Sequence, residues 1–510
     1  VSLHLRDGLR TMFGYNATQD KQRRQSPATR TMREGKVLTP TKRKKLQATA
    51  QDQMRNHSFV AWLVRKHLDY VSKFHFSFRV AVNSDDTNGT AVDTLVNRIF
   101  RWHGAPQNLD YGRRFGRDEL FRLFELEKVV SGDAALVKLT DILKLQAVES
   151  DLIAKGSVAQ GDTKPAEYDD ITDEGLIMAP DGAWVEQFAV CNRGDSGKDI
   201  VYDHMEPAAN VIFDGYWTRL SSQNRGVSPL STAINTVQDI HEGIEYNQVK
   251  AKMHALFGVA IFREAEETGE LGGGAGATKE TASASDTATD SNLDLNLGEV
   301  GFLDFDAADK IQLLESSTPS SEFVEGSYLF LQIAMLALDF PITVLDSRRS
   351  SFSGRIADLN EYEVSADAKR TKNRYVRQSY SDWVLDTIWN DPDTPWPLRR
   401  VAERNGMSLR DVQEASQWIP SGSPWLDKYK QIQGDQLAIE IGEDNIIDAT
   451  RRRGGNFYQN IDKQAQAMQY AREKGVAIMV GSNRQQTVDE AIGRAVAKSI
   501  ENASAEEESE

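Results

Sequence analysis

Arginine and serine crowd one short stretch of the chain, Leu345-Asp346-Ser347-Arg348-Arg349-Ser350-Ser351-Phe352-Ser353-Gly354-Arg355. Guanidinium groups this close together suit phosphate, and the hydroxyls between them keep the segment polar and pliable. Two chemistries are open to it. Arg348, Arg349 and Arg355 can touch a polyanion weakly and in a salt-sensitive way. Alternatively Arg348 and Arg349 pair with Asp339, Asp346 or Glu361 between subunits. Ser350 and Ser351 belong to the same candidate loop.

Other stretches begin like enzyme motifs and then fail. Gly194-Asp195-Ser196-Gly197-Lys198-Asp199 lacks the glycine spacing of a phosphate loop and the Ser or Thr after its lysine. A turn between strands is expected there. His241-Glu242-Gly243-Ile244-Glu245 opens like a zinc-protease helix but has no second histidine. Ser228 lies in no G-x-S-x-G elbow. Eight histidines are scattered without ligand spacing, and the single cysteine, Cys191, excludes disulfides and multi-cysteine zinc sites. A lone cysteine also fits a reducing compartment. No catalytic residue, cofactor or metal is expected. One stretch has the rhythm of a DNA reader: Leu398 to Trp418 reads as helix, Gly406 turn, and a second helix capped by Ser408. Its second helix carries Asp411 and Glu414 and one arginine, a poor match for a groove, and a plain helical corner is the competing reading.

The elements that would position these residues follow from length and pattern. A chain of 510 residues implies roughly two to four domains, and a net charge of −16 disfavours tight wrapping of nucleic acid. No apolar run is long enough to span a membrane, and no secretory signal is visible at the start. Residues 1–45 form a basic arm, either solvated or lying on an acidic partner. Helical spacing runs from Lys45 to about Phe76, broken at Asn56-His57-Ser58, and FHFSFRVAVN (74–83) alternates as a strand. Residues 91–103 and 116–131 read as amphipathic helices. Short apolar runs over 132–225 read as an antiparallel β region.

Ser228-Pro229 then signals a long helix to about Phe257, roughly 43 Å at 1.5 Å per residue. Leu230, Ile234, Val237 and Ile244 mark its face. Short strands follow at 258–262 and within 300–315, around a low-complexity segment at 269–292. A second helix over 320–339 carries the seam Val324, Tyr328, Leu331, Met335 and Leu338. The two helices make a hairpin with a small β unit at its tip. A long polar helix covers about 356–389, broken helices follow to 500, and 501–510 is an acidic tail.

The order of these elements resembles the portal proteins of tailed double-stranded DNA bacteriophages, most closely the lambda type. Four stretches carry the resemblance: QATAQDQMRNHSFVAWLVRKHLDYVSKF (47–74), QNRGVSPLSTAI (223–234), the block from Leu336 to Trp389, and RRRGGNFYQNIDKQAQ (451–466). The first 45 residues and 269–292 match nothing in that family. The resemblance implies an α+β, portal-type architecture. Its parts would be a mixed α/β wing (46–227 with the long helix 356–399), a helical-hairpin stem (228–257 and 319–340), a small β-containing clip (258–318), a channel loop (341–355) and an α-helical crown (400–500). It implies a ring, usually of about twelve subunits, at one capsid vertex. Such a ring conducts DNA non-specifically during packaging, retention and ejection. It binds the major capsid protein, the terminase large subunit, and then a head–tail adaptor. Clip residues Phe262, Phe302, Leu303 and Phe305 would meet the motor and adaptor. The expected location is the virion, after assembly in the host cytoplasm, with no membrane contact. Two other classes stay open beside this one: a nucleic-acid enzyme, which would need motifs not seen, and a DNA-binding regulator using 398–418.

Overall fold

The computed structural model describes residues 32–79, 89–159, 163–194, 197, 199–256, 259–263, 309–313, 320–422 and 428–476. Helix α1 (Pro40–Asn56) starts inside the segment expected to be a basic arm. Proline suits the first helical position, and Arg43 turns inward to donate to the Gly226 carbonyl oxygen at 2.6 Å. The run Lys42–Lys45 therefore lies in the first two helical turns, with one buried cation. The chain breaks at His57, as expected, and α2 (Ser58–Val71) buries Val60, Leu63, Val64, Leu68 and Val71. Strand β1 (Phe74–Phe78) and helices α3 (Gly89–His103) and α4 (Arg117–Ser131) follow.

Two three-stranded antiparallel sheets come next. β2 (Asp133–Leu139) lies between β3 (Lys144–Val148) and the later β7. β4 (Leu176–Met178), β5 (Val185–Arg193) and β6 (Ile200–Pro207) form the second sheet, before β7 (Val211–Gly215) returns to the first. Side chains alternate along a strand, and β2 buries both faces. Ala134 and Leu136 enter a large aromatic core, while Ala135 and Val137 enter a smaller one with Val148, Leu176, Phe188 and Val190. Two-sided burial explains why its sequence reads as a continuous apolar run.

Residues 232–337 form a second unit. Its long helix α5 (Ile234–Leu256) begins later than the sequence implies, because Pro229–Thr232 is a separate 3-10 turn. The Ser228 hydroxyl donates to the Val129 carbonyl oxygen at 2.7 Å and accepts from the Leu230 amide at 3.2 Å, which caps that turn. β8 (Val259–Arg263) and β9 (Asp309–Leu313), both in stretches expected as short strands, pair antiparallel. α6 (Ser321–Met335) packs on α5, with the Phe323 ring in van der Waals reach of Gly243. Ser320 caps α6 by accepting from the Phe323 amide.

The first unit resumes at Leu338. Helix α7 (Phe352–Asn390) has 39 residues and spans about 58 Å. Its incomplete apolar stripe has a physical reason. Arg370 Nε donates to the Tyr70 carbonyl oxygen at 2.7 Å, Asn373 Nδ2 to Val71 at 3.2 Å, and Arg377 Nη2 to Ser72 at 2.7 Å. These polar side chains satisfy the open carbonyls at the C-terminal end of α2, where cations are also favoured. Burial pulls the Arg377 pKa down to about 9, and its guanidinium lies over the rings of Phe74 and Phe121 at 4.2 and 4.7 Å. Beyond Arg377, Tyr380, Val384, Leu385 and Ile388 complete the core with Phe100, Phe121 and Trp418.

The stretch 398–418 is a helical corner. α8 (Leu398–Arg404) and α9 (Leu409–Glu414) bury Leu398, Ala402 and Val412 in the same core as α7. The expected second helix ends at Glu414, and Ser416–Pro420 becomes strand β10, antiparallel to β1 with Phe76 opposite Trp418. The boundary expected at 399/400 therefore passes through one continuous core. α10 (Lys428–Glu440), α11 (Ile446–Arg452) and α12 (Phe457–Glu473) follow.

Candidate functional site

Two chain segments bracket the 232–337 unit; the first is fixed by buried polar chemistry, the second by an exposed carboxylate and stacked aromatic rings. Before it, Arg225 is fully buried. Its Nε and Nη2 donate to the two Asp133 carboxylate oxygens at 2.8 and 2.9 Å, and its remaining donors reach the carbonyls of Ile153, Glu174 and Ser150 at 2.6, 2.8 and 2.7 Å. The Gly226 amide donates to the same carboxylate at 2.7 Å. Burial pushes the Asp133 pKa up, but the Arg225 charge and hydrogen bonds outweigh it and hold the carboxyl below its usual range. Gly226 has no alternative, since a Cβ there would lie 2.1 Å from the Gly132 carbonyl oxygen. The Arg-Gly pair of the 223–234 stretch thus anchors the chain ahead of the first long helix through Asp133, a partner that its motif does not disclose.

After the unit, α6 stops short of the expected Asp339. Leu336–Leu338 is a 3-10 turn, and Asp339 adopts the left-handed conformation with φ of 63°. Its carboxylate accepts from Ser365 Oγ at 2.5 Å and Lys369 Nζ at 2.7 Å, both on α7. Phe340 stacks on Tyr362 with ring centroids 4.1 Å apart, and Tyr70 meets Tyr362 edge-on at 5.0 Å. This clamp fixes where the Arg/Ser segment departs.

The segment itself is two 3-10 turns, Ile342–Val344 and Ser347–Arg349. Asp346 accepts from the Arg348 amide at 3.0 Å and from its Nε at 3.2 Å, yet the Arg348 side chain is 90 % exposed. Arg348 therefore pairs within its own chain, and Asp339 is already held by Lys369. Arg349 closes the turn, and its side chain lies outside the described residues. Ser350 is half-buried, with its Oγ donating to the Ser351 carbonyl. Ser351 is the N-cap of α7, accepting from the Gly354 amide at 3.1 Å. Arg355, expected in the loop, sits in the first turn of α7 and is half-buried.

The expected seam divides. Leu230, Ile234, Val237, Met335 and Leu338 are buried, and Tyr328 and Leu331 are half-buried, but Ile244 and Val324 are exposed. A further apolar surface was hidden by the heptad-like spacing: Leu329, Phe330 and Ile333 on α6 and Leu336 in the turn after it are all exposed. A helix with apolar residues on more than one face has more to cover than one partner helix can supply. Phe262 stands in β8 opposite Lys310, with its side chain outside the described residues, as are Phe302, Leu303 and Phe305 altogether. The remaining motifs resolve simply. Gly194 and Asp199 close a turn between β5 and β6, and His241 pairs with Glu245 at 3.2 Å. Among the described residues, no group of His, Cys, Asp or Glu could hold a metal ion, and no helix is long and apolar enough to cross a membrane.

The phage portal proteins of the lambda family match residues 21–363, about two thirds of the chain, and the chain belongs to that family. It is a phage-type portal protein, a structural class. The match takes in the hairpin, the Arg/Ser segment and the first turns of α7; the 451–466 stretch lies beyond it. No curated protein matches the chain. Among solved structures, it is similar to the neck of an empty gene transfer agent particle at 13 % identity, covering 79 % of this chain and 92 % of that one with a TM-score of 0.40. It is also similar to a native gene transfer agent virion at 15 % identity, with 80 % and 90 % coverage and a TM-score of 0.40. These likenesses are too loose to define a shared fold.

Proposed function

We propose that copies of this chain form a ring of about twelve at one vertex of a phage capsid, the conduit for double-stranded DNA during packaging, retention and ejection. The observation that carries this reading is the uncovered apolar surface of α6 and the turn after it in a chain of the portal family: Val324, Leu329, Phe330, Ile333 and Leu336 are exposed. Apolar surface of this kind is normally covered by a partner. Identical neighbours in a closed ring would cover it without leaving an edge.

In this reading α5 and α6 are the stem, and β8, β9 and the chain between them are the clip. The clip meets the terminase large subunit during packaging and a head–tail adaptor afterwards, and the outer part meets the major capsid protein. The core shared by α7, α8, α9 and β10 extends the wing to about Pro420, so the crown begins near Lys428. The ring is assembled in the host cytoplasm and remains in the virion. The net charge of −16 favours a wall from which phosphate slides away. Arg348, almost wholly exposed at its turn, is the local exception and supplies weak phosphate contact with Arg349.

Native mass spectrometry with negative-stain imaging tests the ring. A species of about twelve chains with a central hole is expected, and a persistent monomer or dimer in the presence of capsid protein would overturn it. Replacing Arg348→Glu and Arg349→Glu together is expected to leave the ring intact and to lower the DNA content of filled heads. Normal packaging and retention in that variant would remove the loop from the channel.

A further inference from the structure

A groove of about 1180 Å³ runs between α3, β1 and α12 in the first unit. Arg98 and Arg101 lie three residues apart on α3, Lys463 faces them from α12, and Arg79 and Arg117 complete a set of five cations. The lining carboxylates are Asp93 and Asp462, so the groove carries an excess of three positive charges on a chain of net charge −16. Arg79 lies 4.2 Å over the Tyr458 ring and 3.5 Å from Asp462, and Arg117 is 3.2 Å from Asp118. Arg101 and Lys463 make no ion pair among the described residues and are exposed. Like charges gathered in a concave surface raise the local potential and call for an anion. Trp102, 39 % exposed, and Trp396, whose Nε1 has no hydrogen-bond partner among the described residues, add apolar surface beside the cations.

We propose that this groove binds the acidic segment of its own chain, residues 501–510. Five of those ten residues are glutamate: Glu501, Glu506, Glu507, Glu508 and Glu510. The chain can reach. From Lys463 to Val476 is about 20 Å along a helix, while the 24 residues from 477 to 500 span about 36 Å if helical and about 80 Å if extended. Each exposed charge pair is worth little alone. Attachment to the same chain gives the segment an effective concentration in the millimolar range, which makes weak pairing sufficient. Asp93 and Asp462 stand among the cations, where a continuous phosphate backbone would meet them, whereas glutamate side chains on a peptide can turn individually toward the cations. This inference does not depend on ring formation.

Carbodiimide cross-linking of the full chain at low salt, read by mass spectrometry, tests it. Cross-links from Lys463 to Glu506, Glu507 or Glu508 are expected. They should vanish in 0.5 M salt, about where screening falls below contact distances, and in the variant E506Q/E507Q/E508Q. A mixture of isotope-labelled and unlabelled chains should give links within one chain; links only between chains would overturn the assignment. Links from Lys463 to Asp85 or Asp86 in place of the tail would overturn it as well. In a second measurement, a fluorescent peptide of residues 501–510 should bind the chain lacking that segment at least about tenfold more tightly than the full chain, as expected for removal of a tethered competitor. That gain should be lost with R101E/K463E. Equal binding to both chains, or binding of a short DNA duplex but not the peptide, would overturn the proposal.

Discussion

Arg225→Met should lower the unfolding free energy by about 3–5 kcal/mol, the cost of leaving one partner of a buried ion pair uncompensated. The side chain is 1 % exposed and Asp133 is fully buried, so no solvent can replace the lost charge. The substitution also removes the guanidinium donors from the carbonyls of Ile153 and Glu174 and leaves the Ser150 carbonyl with only the Ile153 amide at 3.3 Å. Arg225→Lys should recover little. An ammonium is a single point of charge and cannot reach both carboxylate oxygens and three carbonyls from one stem. Asp133→Asn should cost a comparable amount by stranding the cation instead. The double variant R225M/D133L should lose less than the sum of R225M and D133L, because neither charge is then left alone. Urea midpoints followed by tryptophan fluorescence measure all of this. A loss below about 1 kcal/mol in R225M would show that the junction tolerates an empty pocket.

Arg225 also marks the limit of sequence reading. The Arg-Gly pair ahead of the first long helix could be recognised as a motif, but its partner Asp133 lies 92 residues away and belongs to a strand that reads as apolar. Local pattern sufficed where local physics decides. The break at His57, strands β2, β3, β5, β6 and β7, and the short strands β8 and β9 sit where periodicity and turn chemistry place them. It failed where a distant backbone sets the demand. Arg370, Asn373 and Arg377 look like the polar face of a solvated helix, yet they serve the carbonyls at the end of α2. Lys128 looks like a surface residue of an amphipathic helix. It is buried between Glu125 at 2.7 Å and Asp214 at 2.6 Å, and Asn373 accepts from it at 2.9 Å. Trp418 reads as the end of a helix because nothing nearby announces β1 as a pairing partner. For the candidate loop, the Ser/Arg composition was plain, but composition does not say that Ser351 caps α7 and so draws Arg355 into the helix.

Lowering the pH from 7 to 5 should cost about 2 kcal/mol of stability through His103 alone. The ring is buried among Tyr380, Trp383 and Trp102. Its Nε2 donates to the Leu143 carbonyl oxygen at 3.0 Å, which leaves Nδ1 to accept from the Tyr380 hydroxyl at 2.7 Å. Both nitrogens are satisfied in the neutral form. Burial holds the pKa down at about 4, opposed by the Leu143 hydrogen bond and helped by the nearby Arg117 charge, against 6.5 for an ordinary imidazole. The unfolded chain therefore takes up a proton as the pH falls below 6.5, while the folded chain declines it until about pH 4. Stability is at its full value above 6.5, falls through that window and levels off below it, with a total loss of about 3 kcal/mol at 1.36 kcal/mol per pK unit. His67 acts in the same direction, since burial lowers its pKa too, and it is paired with Tyr216 at 3.1 Å. The His103 share is isolated by comparing the chain with H103Q, in which an amide can still donate to the Leu143 carbonyl. H103Q should be less stable at pH 7 and should lose about 2 kcal/mol less than the parent between pH 7 and pH 5. Parallel pH profiles for the two chains would mean that His103 is protonated as readily in the folded state as in the unfolded one.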